Sequence, residues 1–186
     1  MSRIGVLISG GGTNLQAIID ACDKKAILGQ VAVVLSNKEG VYGLERAQNH
    51  EIPHYVTRDN EQILEILEKE KVDLVVLAGY LRKSPREMID RYPNKIVNVH
   101  PSLIPAFAGK GFYGLKVHEA AIKRGVKFSG ATVHLVNEDL DAGPILEQEV
   151  VPVLPSDTPE DLQGRVLKVE HRLLVQAIQS LLKGEY

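Results

Sequence analysis

The stretch Ile4-Gly5-Val6-Leu7-Ile8-Ser9-Gly10-Gly11-Gly12-Thr13-Asn14 joins a compact apolar run to a glycine-rich turn, and a helical pattern follows from Leu15 to about Ile27. Such an apolar run is typical of a strand buried on both faces. A strand, a glycine-rich turn and a helix in this order form an anion site, because glycines let backbone N–H groups approach a ligand and the helix start adds unpaired donors. The alternative is a plain connection in which Thr13 or Asn14 caps the helix.

The glycine-rich turn differs from two common nucleotide-binding motifs. It has no Gly-Lys-Ser/Thr sequence, and Leu15 stands where the third glycine of Gly-x-Gly-x-x-Gly would be. The turn therefore favours a phosphate group over a dinucleotide.

The alternation of strand and helix patterns continues along the chain. Further strands are predicted over 31–35, 54–56, 72–78 and up to His100, with helices over 43–49, around 63–67, from Pro85 and over 115–123. Strands over 128–136 and 145–153 reverse at Gly143-Pro144, which favours an antiparallel arrangement, and a last helix begins near Pro159 and runs to about Leu182.

These elements predict an α/β fold with a Rossmann-like, mostly parallel twisted sheet, helices on both faces and antiparallel strands near the C-terminal part. Ligands collect at the carboxyl ends of parallel strands. We therefore expect residues 9–14, 79–84 and 98–102 to converge on one cleft.

Length and composition narrow the class of protein. The 186 residues, 44% hydrophobic and 25% charged, are typical of one globular domain over 1–186. A net charge of −2 gives no nucleic-acid footprint, and no apolar run is long enough for a membrane span. The single Cys22 cannot form an internal disulfide, and we expect it to be a small buried hydrophobe. With no signal-peptide pattern after Met1, the expected location is the cytoplasm.

The string Asn98-Val99-His100-Pro101-Ser102-Leu103-Ile104-Pro105 places an amide and an imidazole two residues apart at a strand end, on one face of an extended chain. An amide donor and a proton-carrying imidazole suit oxyanion stabilisation with proton transfer. The alternative is a turn asparagine and a satisfied core histidine. Asp141 is the best acid to position the imidazole, with Asp139 as its rival and a purely structural turn residue as the alternative.

Other catalytic classes fit less well. No serine lies in a Gly-x-Ser-x-Gly elbow, and the six histidines lack the spacing of a zinc site. No metal is therefore predicted. We expect His118 to be a surface or partly buried residue, and we expect the glycine-rich segment 107–114 to be a mobile loop.

Several strings in order resemble the folate-dependent formyltransferases, and among them the phosphoribosylglycinamide formyltransferase family of purine biosynthesis. The matching strings are Ser-Gly-Gly-Gly-Thr-Asn-Leu-Gln-Ala-Ile-Ile-Asp from Ser9, Ser-Asn-Lys from Ser36, Gly-Leu-Glu-Arg-Ala from Gly43, Leu-Ala-Gly-Tyr-Leu-Arg from Leu77, the string from Asn98, and Leu-Asp-Ala-Gly-Pro-Ile from Leu140. The resemblance implies that 10-formyltetrahydrofolate, as co-substrate, donates its formyl group to the amine of 5-phosphoribosylglycinamide.

The resemblance also implies roles for individual residues. Asn98, His100 and Asp141 match the catalytic trio. Substrate contacts fall on Gly11, Gly12, Thr13, Asn14, Gly79, Pro101 and Glu170, and folate contacts on Arg58, Leu81, Arg82, Lys83, Ser84, Asn98, Val99, Val136 and Leu140. The phosphate-binding half would cover about 1–100 and the folate and catalytic half about 77–186. The loop after Tyr80 is one residue shorter than the family's common pattern.

Three rival functions remain open. Methionyl-tRNA formyltransferase and formyltetrahydrofolate deformylase share the Asn-x-His and Asp arrangement, but the first resembles a longer chain with an RNA-binding domain and the second carries an extra N-terminal domain. A non-catalytic phosphosugar-binding module would bind ligand without turnover. The expected partners are small-molecule substrates, with neither nucleic acid nor membrane, and the sequence is compatible with a monomer or a homodimer.

Overall fold

The computed structural model describes residues 1–186 as an alternation of strands and helices. The elements are β1 (Ser2–Ile8), α1 (Thr13–Asp23), β2 (Gly29–Ser36), α2 (Tyr42–Asn49), β3 (His54–Val56), α3 (Asn60–Lys69), β4 (Leu74–Leu77), α4 (Arg86–Arg91), β5 (Ile96–His100), α5 (Leu115–Arg124), β6 (Phe128–Leu135), β7 (Ile145–Pro152) and α6 (Pro159–Lys183).

The strands form one seven-stranded sheet in the order β3-β2-β1-β4-β5-β6-β7. The first five strands are parallel, whereas β6 runs antiparallel to both β5 and β7. The predicted fold class is therefore confirmed. The strand order turns back between β1 and β4, which is the position where open α/β sheets bind their ligands.

Helices cover both faces of the sheet because the central strands are apolar on both sides. Ile4 and Ile8 pack into a cluster of 25 buried residues with α1, α5 and α6, whereas Leu7 points to a second cluster of 11 with α3 and α4. Burial of each such side chain contributes about 1.5–3 kcal/mol. These clusters hold β1 and the turn after it rigidly in the centre of the sheet.

Three boundaries differ from the sequence prediction. Helix α1 ends at Asp23 and not at Ile27, because Lys25 takes a φ of 59° and the chain turns. Strand β4 is limited to four residues. Pro85 lies just before α4, as its N-cap, and not at its first position.

The final helix begins as the sequence predicts. The Thr158 hydroxyl accepts from the N–H of Asp161, whose carboxylate accepts from the N–H of Thr158, so two unpaired donors of the helix start are satisfied. The helix then extends for 25 residues. Neither this helix nor any other has the length and apolarity that crossing a membrane requires.

Candidate active site

A cleft of about 440 Å³ opens at the carboxyl ends of β1, β4 and β5. It brings together most of the residues predicted from the sequence. Those that line it are Asn14, Gly79, Leu81, Arg82, Lys83, Asn98, Val99, His100, Pro101, Leu140, Asp141 and Glu170. Residues 79–83 and 98–101 thus converge on the cleft as expected, whereas of the segment 9–14 only Asn14 lines it.

Asn98, His100 and Asp141 meet in this cleft. The His100 Nδ1 atom lies 3.6 Å from Asp141 Oδ2, and the Asn98 Nδ2 atom lies 3.5 Å from Asp141 Oδ1. The side chains of His100 and Asp141 are almost fully buried, at 6% and 9% exposure. The rival Asp139 lines only a small side pocket.

Backbone conformation brings the Asp141 carboxylate to this position. Asp141 has a φ of 52°, in the left-handed region that few residues other than glycine adopt. Its Oδ2 atom accepts a hydrogen bond of 2.9 Å from the N–H of Gly109. The His100 Nε2 atom is 2.8 Å from the carbonyl of Phe107. The segment 107–109 therefore contacts two members of the trio.

A second histidine, His134, lies behind Asn98. The antiparallel register of β5 and β6 pairs the two residues directly, and the Asn98 Nδ2 atom is 3.1 Å from His134 Nε2. The Nδ1 atom of His134 is 2.9 Å from the carbonyl of Leu135, which only a protonated Nδ1 can satisfy. Burial lowers the pKa of His134, so its neutral form accepts from Asn98 at Nε2.

The glycine-rich turn lies at the other end of the cleft. Gly12 is the N-cap of α1 with a φ of 71°, and no side chain caps this helix, which rules out capping by Thr13 or Asn14. Asn14 lines the cleft, whereas Gly11, Gly12 and Thr13 lie outside its lining. A side chain on Gly11 would meet no atom within 4 Å, so this side of the turn is open to a ligand.

Glu170 reaches the cleft from α6 and is 6% exposed. Burial raises the pKa of this carboxyl to about 7, and the neighbouring Asn14 amide only partly offsets that effect. The Asn14 Oδ1 atom is buried without a hydrogen-bond partner. Asn14 thus presents a polar atom that the protein leaves unsatisfied, as ligand-binding groups do, and it lies beside the buried carboxyl of Glu170.

The loop after β4 forms one wall of the cleft. Its Leu81 N–H donates to the buried Ser9 hydroxyl at 2.9 Å, and this hydroxyl donates to Asn37 Oδ1 at 2.6 Å. The ends of β1, β2 and β4 are therefore tied together. Ser84 and Val136 line a side pocket of about 60 Å³ next to the cleft.

Arg58 does not line the cleft. Its Nε atom donates to the carbonyl of Asn37, and its own carbonyl accepts from the Arg82 guanidinium. Arg58 thus contacts Arg82, whose side chain lines the cleft, without lining the cleft itself.

The sequence prediction for His118 was wrong. This residue is 1% exposed and lines the cleft from α5, because α5 faces inward. Burial, and secondarily the charge of His100, lowers its pKa to about 4. Leu167 of α6, which stands where some members of the resembling family have a cation near the phosphate, lines the cleft, and so does Gln163, which was not predicted. Only the i, i+4 and i+7 spacing of 163, 167 and 170 on one helix face could have indicated them.

The cleft's titratable side chains do not form a metal site, since no group of three or more His, Cys, Asp or Glu is arranged to hold an ion.

Cys22 is only partly buried against the core, and burial raises its pKa to about 11.

Known proteins with a similar sequence point to one family. A model of the formyl transferase family matches residues 2–178. The chain is 44% identical to a chloroplastic phosphoribosylglycinamide formyltransferase of Vigna unguiculata over 96% of its own length and 60% of that protein. It is 40% identical to phosphoribosylglycinamide formyltransferase of Haemophilus influenzae, over 99% of its length and 89% of that protein. The chain thus spans about 60% of the length of the chloroplastic relative.

Structural similarity agrees with the sequence match. The crystal structure of glycinamide ribonucleotide transformylase 1 from Symbiobacterium toebii superposes with a TM-score of 0.92 at 46% identity, covering 99% of this chain and 89% of that one. With the family model matching nearly the whole chain, this protein belongs to the formyl transferase family.

Proposed function

We propose that this protein transfers the formyl group of 10-formyltetrahydrofolate to the amine of 5-phosphoribosylglycinamide. The observation that carries the proposal is the meeting of Asn98, His100 and Asp141 in a cleft that also reaches Asn14 in the first turn of α1. The relatives named for this reaction, at 40–46% identity, support it.

The trio supplies the groups that acyl transfer to an amine requires. As the amine nitrogen attacks the formyl carbon, negative charge develops on the formyl oxygen, and the Asn98 amide and the His100 imidazole stabilise it. The C–N bond to the folate N10 then breaks. Asp141 holds a water that relays the proton leaving the amine, and N10 takes up a proton, so that tetrahydrofolate leaves neutral at that atom.

The two ends of the cleft suit the two substrates. The N–H groups of Gly11, Gly12 and Thr13 with the start of α1 bind the phosphate, and Glu170 with Asn14 binds the glycinamide portion. Apolar and cationic side chains at the opposite end, Leu81, Arg82 and Lys83, receive the folate and its anionic tail. Val136 and Ser84 extend that region through the side pocket.

The test is an assay of tetrahydrofolate release from 10-formyltetrahydrofolate, with and without phosphoribosylglycinamide. We expect release only when the acceptor is present, together with one equivalent of formylated product. Release without acceptor would instead identify a deformylase, and binding of both ligands without release would identify a phosphosugar-binding module. Either result would overturn the proposal.

A further inference from the structure

Helix α2 packs directly against the turn after β1, although it contributes nothing to the cleft lining. The contact is made through Gly43, since a Cβ there would lie 2.3 Å from Ile8 Cδ1, 2.9 Å from the Gly10 carbonyl oxygen and 3.3 Å from the Gly12 Cα. Only a glycine allows α2 to come this close without displacing the turn.

Two successive carbonyls of the turn are bonded by α2. The Gly43 N–H donates to the Gly10 carbonyl at 3.1 Å, and the Arg46 Nε–H donates to the Gly11 carbonyl at 2.8 Å. In a trans peptide the C=O and the following N–H point in opposite directions. Fixing these two carbonyls on α2 therefore directs the N–H groups of Gly11 and Gly12 away from α2.

Those two N–H groups have no acceptor within the protein. An added Cβ at Gly10 or Gly11 would also meet nothing within 4 Å, so the side of the turn away from α2 is open. Unpaired amides held in one direction beside open space are what an anion site requires.

Arg46 is itself held in place by three neighbours. Besides the Gly11 carbonyl, its Nη1 atom contacts Gln16 Oε1 at 3.3 Å, and its guanidinium carbon lies 4.6 Å from the centre of the Tyr42 ring. None of the ion pairs of the structure includes Arg46, so its positive charge is not neutralised by a carboxylate. This charge, after burial, lowers the pKa of His171 on α6.

We propose that Arg46 is a positioning residue for the phosphate of the substrate: with Gly43 it holds the Gly10 and Gly11 carbonyls so that the Gly11 and Gly12 amides face the phosphate, and it adds a positive charge behind the turn. This inference rests on the proposed function. It gives the segment Gly43–Ala47 of α2 a part in substrate selection, although no residue of α2 lines the cleft.

The experiment compares Arg46→Ala, Arg46→Lys and the wild type by titration calorimetry with two ligands, phosphoribosylglycinamide and the same compound lacking its phosphate. Arg46→Ala should weaken binding of the phosphorylated ligand by about tenfold or more and binding of the other by less than about twofold. Arg46→Lys, which keeps a charge and a donor, should recover most of the loss. Arg91→Ala, which removes an exposed pair with Glu68 remote from the cleft, is the matched control and should resemble the wild type.

Three results would overturn the inference. Equal weakening of both ligands in Arg46→Ala would show a general structural role, and unchanged binding would show no role. If the wild type bound neither ligand, the proposed function would fail first, and the inference with it. Turnover measured beside binding should show a raised KM for phosphoribosylglycinamide with kcat unchanged, which a partly unfolded enzyme would not show.

Discussion

The two ends of the cleft are built in different ways. At the end of β1 the atoms that we propose to bind ligand belong to the backbone of Gly11 and Gly12, and α2 holds the neighbouring carbonyls. At the end of β5 the proposed chemistry belongs to side chains, and Asn98, His100 and Asp141 come from two segments more than forty residues apart. One end depends on conformation and close packing, the other on the identity of a few polar groups.

This difference predicts different consequences of mutation. Removing a side chain at the β5 end should abolish chemistry while leaving binding intact, because each group acts mainly as charge develops. Adding a side chain at the β1 end should disturb binding and stability together, because the backbone itself is the ligand-binding group. The following substitutions test that separation.

The largest effect is expected for His100→Ala and Asn98→Ala. Each should lower kcat by about 10²–10⁴-fold, since a positioned acid or oxyanion donor contributes that much. Affinity for phosphoribosylglycinamide, measured by calorimetry, should stay within about twofold of the wild type because these residues lie away from the turn that we propose for the phosphate. His54→Ala, on the edge strand β3, is the control. Near-normal turnover in both variants would show that Asn98 and His100 do not take part in the reaction.

Glu170 of α6 lines the end of the cleft near Asn14, and its ionisation can be followed through the pH dependence of protein stability. Its pKa is about 7 in the folded chain against an ordinary 4.5, so the folded state binds the proton more tightly between those values. The free energy of unfolding should therefore fall as pH rises from about 4.5 to about 7 and then level off, by up to about 3 kcal/mol.

Urea unfolding at several pH values should show that the stability of the wild type, measured relative to Glu170→Gln at each pH, declines over this range. His118 acts in the opposite sense, since its lowered pKa of about 4 removes stability as pH falls below about 6.5. The difference between the two proteins isolates Glu170, because His118 is present in both. Parallel profiles would mean that Glu170 ionises normally in the fold.

Gly43→Ala tests whether close packing of α2 sets the turn. The new Cβ would overlap Ile8 Cδ1 and approach the Gly10 carbonyl oxygen at 2.9 Å, so α2 has to move outward. Overpacking of this kind costs about 1–3 kcal/mol of unfolding free energy, and we expect affinity for the phosphorylated substrate to fall with it. Gly164→Ala in α6 is the matched control, because its Cβ meets no atom within 4 Å. That variant should gain up to about 1 kcal/mol. If the Gly43→Ala protein were as stable as the wild type and bound the substrate as tightly, the packing of α2 would not determine the conformation of the turn.

The same difference explains what the sequence could predict. Periodicity along β1 and the glycines after it are local features, so the fold class and the phosphate turn follow from neighbouring residues. Asn98 and His100 were paired by the two-residue repeat of one strand. Asp141 was the best acid candidate from the residues alone, but turn chemistry left a purely structural role open, and the resemblance favoured the catalytic one.

Features that depend on tertiary packing could not be predicted. The burial of His118 depends on how segment 107–114 presents α5 to the cleft, and no local pattern encodes that path. The early end of α1 depends on a left-handed Lys25, which glycine or asparagine would have signalled but lysine does not. From the sequence, His134 was a candidate only for metal binding. Its position opposite Asn98 depends on the pairing of β5 with β6, and the register between two distant strands cannot be predicted from either strand alone.

The smallest effect, expected for His134→Phe, tests whether the β5 end also depends on positioning. Phenylalanine keeps a flat aromatic ring but has no ring nitrogen, so Asn98 loses the acceptor that lies 3.1 Å from its amide nitrogen. A hydrogen bond of this kind is worth about 0.5–1.5 kcal/mol, so kcat should fall by up to about tenfold with both KM values unchanged. His134→Gln, which restores an acceptor, should recover part of the loss. A raised KM for phosphoribosylglycinamide in His134→Phe would instead mean that the two ends of the cleft are coupled, and the separation argued from their construction would be wrong.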